Sequence, residues 1–349
     1  MRQIPSREAP TPDEFANTIT PVARPAVMRG LAADWPLVAA ARHSADRCIT
    51  MLSEHATDTP IEVLRTDPAN DGRFHYTPDG RALNFVRGRT SLPIFLAALQ
   101  EQATNDRPFT MAALGVLAER VLPDFSSSHP MPYVPAPASP RFWIGNAAKV
   151  ATHNDPSDNI AVVVAGRRRF TLFPPNQIAN LYLGPLHFTP AGTPVSMVHV
   201  TAPDFDRYPR FTAALEAAEV AELEPGDAIF IPYGWYHHVE ALERFNMLVN
   251  YWWDPAREDV GSPWDAMLHG MLSLRSLPAN QRAAWRAMFE YYVFQAGDDP
   301  AAHIPAEVAG ILGPVTADSI AQMRKSLIDA LKRDAACSSN TAATSDEDG

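Results

Sequence analysis

Residues 141–176 read RFWIGNAAKVATHNDPSDNIAVVVAGRRRFTLFPPN, and residues 226–253 read GDAIFIPYGWYHHVEALERFNMLVNYWW. Short apolar runs recur here with turn residues between them: Phe142 to Ile144, Ile160 to Val164, Arg168 to Phe173, Ala228 to Ile231 and Phe245 to Trp253. Val195 to Val200 adds another run of the same kind. Pro174 and Pro175 stop one run, and Pro225-Gly226-Asp227 opens another. Regularly spaced short strands of this type predict an antiparallel barrel or jelly roll. The stretch from Gly184 to Phe211 has little periodicity and is expected to form a long loop over the barrel mouth.

Working outward, the first 125 residues read as mixed α and β. Thr11, Pro12 and Glu14 form a helix start, and Ser44 and Ser91 are each expected to cap a helix. Pro25 to Met28, Ile61 to Leu64 and Arg73 to Tyr76 read as strands. Beyond Pro255 apolar residues recur at helical spacing in Trp264 to Leu274, Ala283 to Phe294 and Ser319 to Leu331. The 33 prolines against 17 glycines suit short elements joined by stiff turns.

The net charge of −11, from 40 acidic and 29 basic residues, weighs against a nucleic-acid partner. Two distant cysteines, Cys48 and Cys337, make neither a disulfide framework nor a thiolate zinc site, which sets a reducing, cytoplasmic location as the expectation. No apolar run approaches the roughly 20 residues of a membrane span, and the N-terminus lacks the apolar segment of a secretory signal.

The chemistry concentrates at His153-Asn154-Asp155. On extended backbone, residues two apart project from one face, so His153 and Asp155 can meet one metal ion. An H-x-D pair alone is common, and Asp155 followed by Pro156 also suits a plain turn. A third ligand would come from His237-His238. Two imidazoles and one carboxylate on one face leave about three positions of an octahedral ion open, the arrangement of non-haem Fe(II) oxygenases.

The runs 153–159 (HNDPSDN), 166–175 (GRRRFTLFPP) and 226–240 resemble those of the cupin-like branch of the JmjC oxygenases, the group that includes the asparaginyl hydroxylase factor inhibiting HIF. The resemblance spans about residues 10 to 255. It implies mainly β structure with α elements, a double-stranded β-helix core over 126–255 that the N-terminal α/β elaboration over 1–125 extends, and a homodimer through the C-terminal helical region over 256–334. The Ser, Thr, Ala, Asp and Glu composition of 335–349 predicts a disordered tail. It implies Fe(II) and 2-oxoglutarate as cofactors, with metal ligands His153, Asp155 and His237, and His238 turned away to a backbone or carboxylate partner. Arg168 stands where the family usually has a lysine for the far carboxylate of 2-oxoglutarate; a guanidinium keeps the charge but is forked. Alternation puts Arg168, Phe170 and Leu172 on one face and leaves Arg167 and Arg169 on a solvated one. Asn159 and Asn250 fall at positions of polar cosubstrate contacts, and Trp252 at the pocket wall. The family's threonine three residues before the first ligand is here Val150, with Thr152 beside the ligand as the other hydroxyl for that contact. The implied activity is hydroxylation of a C–H bond in a protein side chain or small molecule, releasing succinate and CO2. The alternative is a non-catalytic metal- or ligand-binding cupin.

Overall fold

The computed structural model describes residues 1–345 apart from Pro137, Ala191 and Asp298, with side chains described through Arg333. It divides into two compact units, one over Met1–Asp254 and a second beginning at Pro255.

The first unit contains the strands β1 (Arg2–Gln3), β2 (Ser6–Glu8), β3 (Ala26–Arg29), β4 (Pro60–Thr66), β5 (Arg73–Phe74), β6 (Phe85–Ser91), β7 (Thr110–Leu117), β8 (Arg141–Gly145), β9 (Lys149–His153), β10 (Asp158–Ala165), β11 (Arg168–Phe173), β12 (Glu219–Leu223), β13 (Ala228–Ile231), β14 (Tyr236–Ala241) and β15 (Asn246–Trp253). They form a six-stranded sheet, β1-β12-β11-β14-β9-β5, and a nine-stranded sheet, β2-β3-β13-β10-β15-β8-β7-β4-β6. This is a cupin jelly roll with helices, and strands of the first 125 residues extend its larger sheet.

Strand β10 shows why the sequence folds this way. Ile160, Val162 and Val164 pack into one core with the helices Pro36–His43, Ala45–His55 and Leu92–Gln102, through Leu37, Val38, Leu52, Phe95 and Leu96. The alternate residues Ala161 and Val163 point into the barrel, where they meet Phe170, Leu172, Ile229 and Leu248. A strand buried on both faces carries apolar residues at every position, which is why this run does not alternate with polar ones. The helices bury the outer face of the larger sheet, and the barrel interior holds the second core.

The turn from β10 to β11 needs a glycine. Gly166 has φ +70°, and a Cβ there would stand 2.4 Å from Asn246 Oδ1 and 2.6 Å from the Phe245 carbonyl oxygen. Left-handed strain and the clash add, so Gly166→Ala is expected to cost about 3 kcal/mol, read as a lower urea midpoint at unchanged slope.

Several local expectations change. Val195 to Val200 is not a strand: it pairs only through an isolated bridge of Ser196 to Leu183, behind Pro194, and follows the barrel surface instead. Ser91 starts the helix Leu92–Gln102 without a side-chain cap, whereas Ser44 accepts from the Arg47 amide at 3.0 Å. A short helix, Phe211–Ala217, follows the irregular stretch.

In the second unit the helices Pro263–Leu274, Ala279–Tyr292 and Ala317–Ser345 carry many exposed large apolar side chains, among them Trp264, Leu272, Trp285, Met288 and Ile328. The last helix passes residue 335, where the sequence reading begins a disordered tail; alanines at 335 and 336 favour helix over coil. Residues 346–349 of that tail lie outside the described residues.

Candidate metal centre

His153 ends β9, and His237 stands near the start of β14; the two residues are paired directly across the antiparallel ladder. Their rings are 4.4 Å apart between centroids. Asp155 follows β9 in the loop to β10, and its Oδ2 lies 3.6 Å from His237 Nε2. One ligand atom from each of His153, Asp155 and His237 lies within 4.8 Å of the others, and this is the one such metal-ligating group among the described residues.

The imidazoles are oriented by the backbone. His153 Nδ1 lies 2.8 Å from the Ala151 carbonyl and His237 Nδ1 lies 3.2 Å from that of Trp235. A carbonyl can only accept, so Nδ1 carries the proton and Nε2 presents its lone pair. Burial, with His153 beside it, lowers the His237 pKa to about 4, which keeps the ring neutral at pH 7. Asp155 Oδ2 accepts from the Trp252 indole N–H at 3.1 Å and from Asn159 Nδ2 at 3.5 Å.

The triad opens into a narrow cavity of about 40 Å³ whose lining includes Arg168, Asn159, Asn250 and Trp252. A hollow of about 840 Å³ elsewhere in this unit shares none of these residues, so size alone does not locate the chemistry. Arg168 pairs with Ala241 on β14, four residues along β11 from Leu172, the partner of His237. That places its backbone about 13 Å further along the sheet. Its side chain is buried (7% exposed), donates from Nη2 to the Trp143 carbonyl at 3.0 Å and has no partner at Nε. No carboxylate pairs with it among the described residues. Burial lowers its pKa to about 10, so it remains a cation at neutral pH. Arg167 and Arg169, by contrast, are exposed and pair with Glu243 and Glu222.

The other candidate residues divide. Asn159 faces the cavity with Oδ1 unpartnered. The Asn250 amide oxygen is taken by the Trp143 indole N–H at 2.7 Å, so that group is committed to the wall. Thr152 is fully buried but does not line the cavity. The β9–β14 register slips between His153 and Val150, which turns both of these residues inward and leaves Thr152 off the cavity wall. The apolar Val150 thus lines the site. His238 is buried on the opposite face, where its nearest carboxylate, Glu240, is 4.0 Å away. Its backbone partner is Val150, as expected, in a contact looser than a normal hydrogen bond. Tyr133 donates to the Pro10 carbonyl at 2.8 Å and does not line the cavity. Trp143 is the residue that motif reasoning missed. Its signal was its place between Phe142 and Ile144, which face the helices, so that period 2 turns it inward.

These buried histidines give an acid response. Burial lowers the His238 pKa to about 4 as well. Between the unfolded value near 6.5 and about 4 the unfolded chain binds protons that the folded one refuses, so stability falls with falling pH. The melting temperature of metal-free protein is expected to hold above pH 6.5 and to drop progressively toward pH 4.

A jelly roll that brings two histidines and one carboxylate together defines a cupin of the JmjC type with a candidate metal site. Residues 12–259 match the family described as cupin-like domain, and the chain belongs to that family. It is 36% identical over 117 residues to lysine-specific demethylase JMJ31 of Arabidopsis thaliana, covering 33% of this chain and 21% of that protein. It is 31% identical over 146 residues to human HSPB1-associated protein 1, covering 40% and 29%. It is 25% identical over 262 residues to tRNA wybutosine-synthesizing protein 5 of Danio rerio, covering 69% and 72%. The first of these relatives are thus matched over less than a third of their own length. Among the described residues no helix is long and apolar enough to cross a membrane.

Proposed function

We propose that the protein is an Fe(II)- and 2-oxoglutarate-dependent oxygenase that hydroxylates a C–H bond of a protein side chain or small molecule. The observation that carries this reading is Arg168: a buried cation without a counterion among the described residues, lining the same cavity as the His-Asp-His triad. An uncompensated buried charge is costly, so a site that keeps one is suited to an anion that arrives from outside. The triad's donor set suits Fe(II), and its one-sided placement leaves positions for a chelating oxo acid. When bound, the iron and oxo acid supply O2 activation, with loss of CO2, formation of succinate and transfer of oxygen to the substrate.

The chain's own residues do the rest. His153, Asp155 and His237 would hold the metal, and Arg168 would receive the distal carboxylate through two N–H donors. Val150, Phe170, Val239 and Leu248 give the cavity apolar walls, which exclude water and strengthen the ion pair.

Val150 supports a second reading, a metal- or ligand-binding sensor without turnover, because it offers no hydroxyl to a cosubstrate. Aerobic incubation with Fe(II) and 2-oxoglutarate separates the two. The oxygenase releases succinate, even slowly and without substrate; a sensor binds both and releases none.

A protein side chain as substrate follows the resemblance to the asparaginyl hydroxylase, while one relative's name brings tRNA into consideration. The net charge of −11 favours protein or small molecule. We further propose a homodimer through the apolar helix faces of the second unit, since Trp264, Leu272, Trp285 and Met288 are large exposed apolar groups, and a cytoplasmic location.

A further inference from the structure

We infer that Trp252 is a positioning residue for the metal-binding carboxylate, holding Asp155 in its ligating orientation across the two sheets. The inference rests on the metal-site reading above. Each histidine ligand donates its orienting hydrogen bond from Nδ1 to the carbonyl two residues earlier in the chain, Ala151 for His153 and Trp235 for His237. Asp155 has no such local support. It stands beyond the end of β9, in the loop before Pro156, where a short side chain can swing about two torsions. Its support comes from β15 in the opposite sheet: the Trp252 indole N–H donates to Oδ2 at 3.1 Å, supplemented by Asn159 Nδ2 at 3.5 Å. Oδ2 is also the oxygen that lies 3.6 Å from His237 Nε2, so the indole N–H holds the oxygen that faces the triad and leaves that oxygen a second lone pair for a metal.

The indole is itself fixed. Trp143 meets it edge to face, with centroids 5.9 Å apart, and the Arg141 guanidinium lies over the ring at 5.4 Å from its centroid. A held ring delivers its N–H in one direction, so the carboxylate loses little freedom when a metal binds. Trp143 also accepts from Arg168 through its carbonyl. The same aromatic pair therefore connects the carboxylate of the triad to the buried cation. Groups that hydrogen-bond metal ligands in this way commonly set affinity by about 10–100-fold.

The test is a titration of the full chain with Co(II), followed by calorimetry and by the visible d–d absorption, which reports ligand arrangement without turnover. Trp252→Phe keeps an aromatic ring between Trp143 and Arg141 and removes the donor, at the cost of a smaller ring. It is expected to weaken Co(II) binding about 10–100-fold and to alter the d–d bands. If packing of the smaller ring destabilises the protein, 3-benzothienylalanine at position 252 keeps the bicyclic shape and still lacks the N–H; the same loss is expected. If the parent binds Co(II) and both variants bind it within twofold of the parent, the inference is overturned and the metal site stands. A parent protein that binds no Co(II) overturns the metal-site reading, and the inference with it.

Discussion

Asp155→Ala protein is expected to bind Fe(II) at least about 100-fold more weakly than the parent and to release no succinate from 2-oxoglutarate above a metal-free control. Altering a group that merely hydrogen-bonds a metal ligand costs about 10–100-fold; removing a ligand, and the one anionic ligand of the three, costs more. The triad leaves no substitute. Asn159, near Asp155, is a neutral amide, and Glu240 lies on the His238 face of β14, turned away from the cavity. The fold should survive, because Asp155 lies in a loop rather than in the β9 ladder. Calorimetric titration with Fe(II) under anaerobic conditions, with the melting temperature as a control, checks both statements. Metal affinity equal to the parent's would remove Asp155 from the ligand set.

Arg168→Met gives the second large effect, and it has opposite signs in two measurements. Binding of 2-oxoglutarate should weaken by about 100-fold or more, since a charge-assisted bidentate contact is worth roughly 3 kcal/mol. The ligand-free protein should at the same time become more stable. Among the described residues, Arg168 is buried without a carboxylate partner and its side chain keeps a single hydrogen bond, to the Trp143 carbonyl. Replacing an uncompensated buried charge by an apolar chain of similar length removes a desolvation penalty. A higher melting temperature together with lost cosubstrate affinity is the signature of a group retained for binding at the expense of stability. A lower melting temperature with unchanged 2-oxoglutarate affinity would mean that Arg168 serves the fold alone.

The parts of this molecule that were legible in its sequence are those where local period and global packing agree. Strand β10 is apolar at every position because both its faces are buried, and β11 alternates so that Arg168, Phe170 and Leu172 share the barrel side. The His153–Asp155 spacing was readable because residues two apart on extended chain share a face. Strands β6 and β7 were not readable. Strand β6 is a sheet edge with Val86, Arg87, Gly88 and Arg89 exposed, so it carries no apolar alternation, and β7 is interrupted by a register shift at Gly115, with φ +65°. Val195 to Val200 misled for the converse reason: its apolar Val195 and Val198 are buried, but among the described residues it joins the barrel by a single backbone hydrogen bond, Ser196 N–H to the Thr152 carbonyl, and forms no strand.

The same limit applied inside the site. Spacing paired His153 with Asp155 and offered His237-His238, and the family resemblance chose His237 and added Arg168, Asn159 and Trp252. Neither could foresee the slip in the β9–β14 ladder, which brings Val150 to the cavity wall and leaves Thr152 off it. Nor could they show that the Asn250 oxygen is already engaged by Trp143, because that contact joins two strands 107 residues apart.

The central claim is that one cavity holds a metal on His153, Asp155 and His237 and an oxo acid on Arg168. The most direct measurement is an anaerobic titration of the Fe(II)-loaded protein with 2-oxoglutarate, followed by visible absorption. A weak metal-to-ligand charge-transfer band that grows to saturation, and that is absent from Asp155→Ala and shifted to far higher ligand concentration in Arg168→Met, is the predicted result. Bound Fe(II) with no such band at any 2-oxoglutarate concentration would contradict the account.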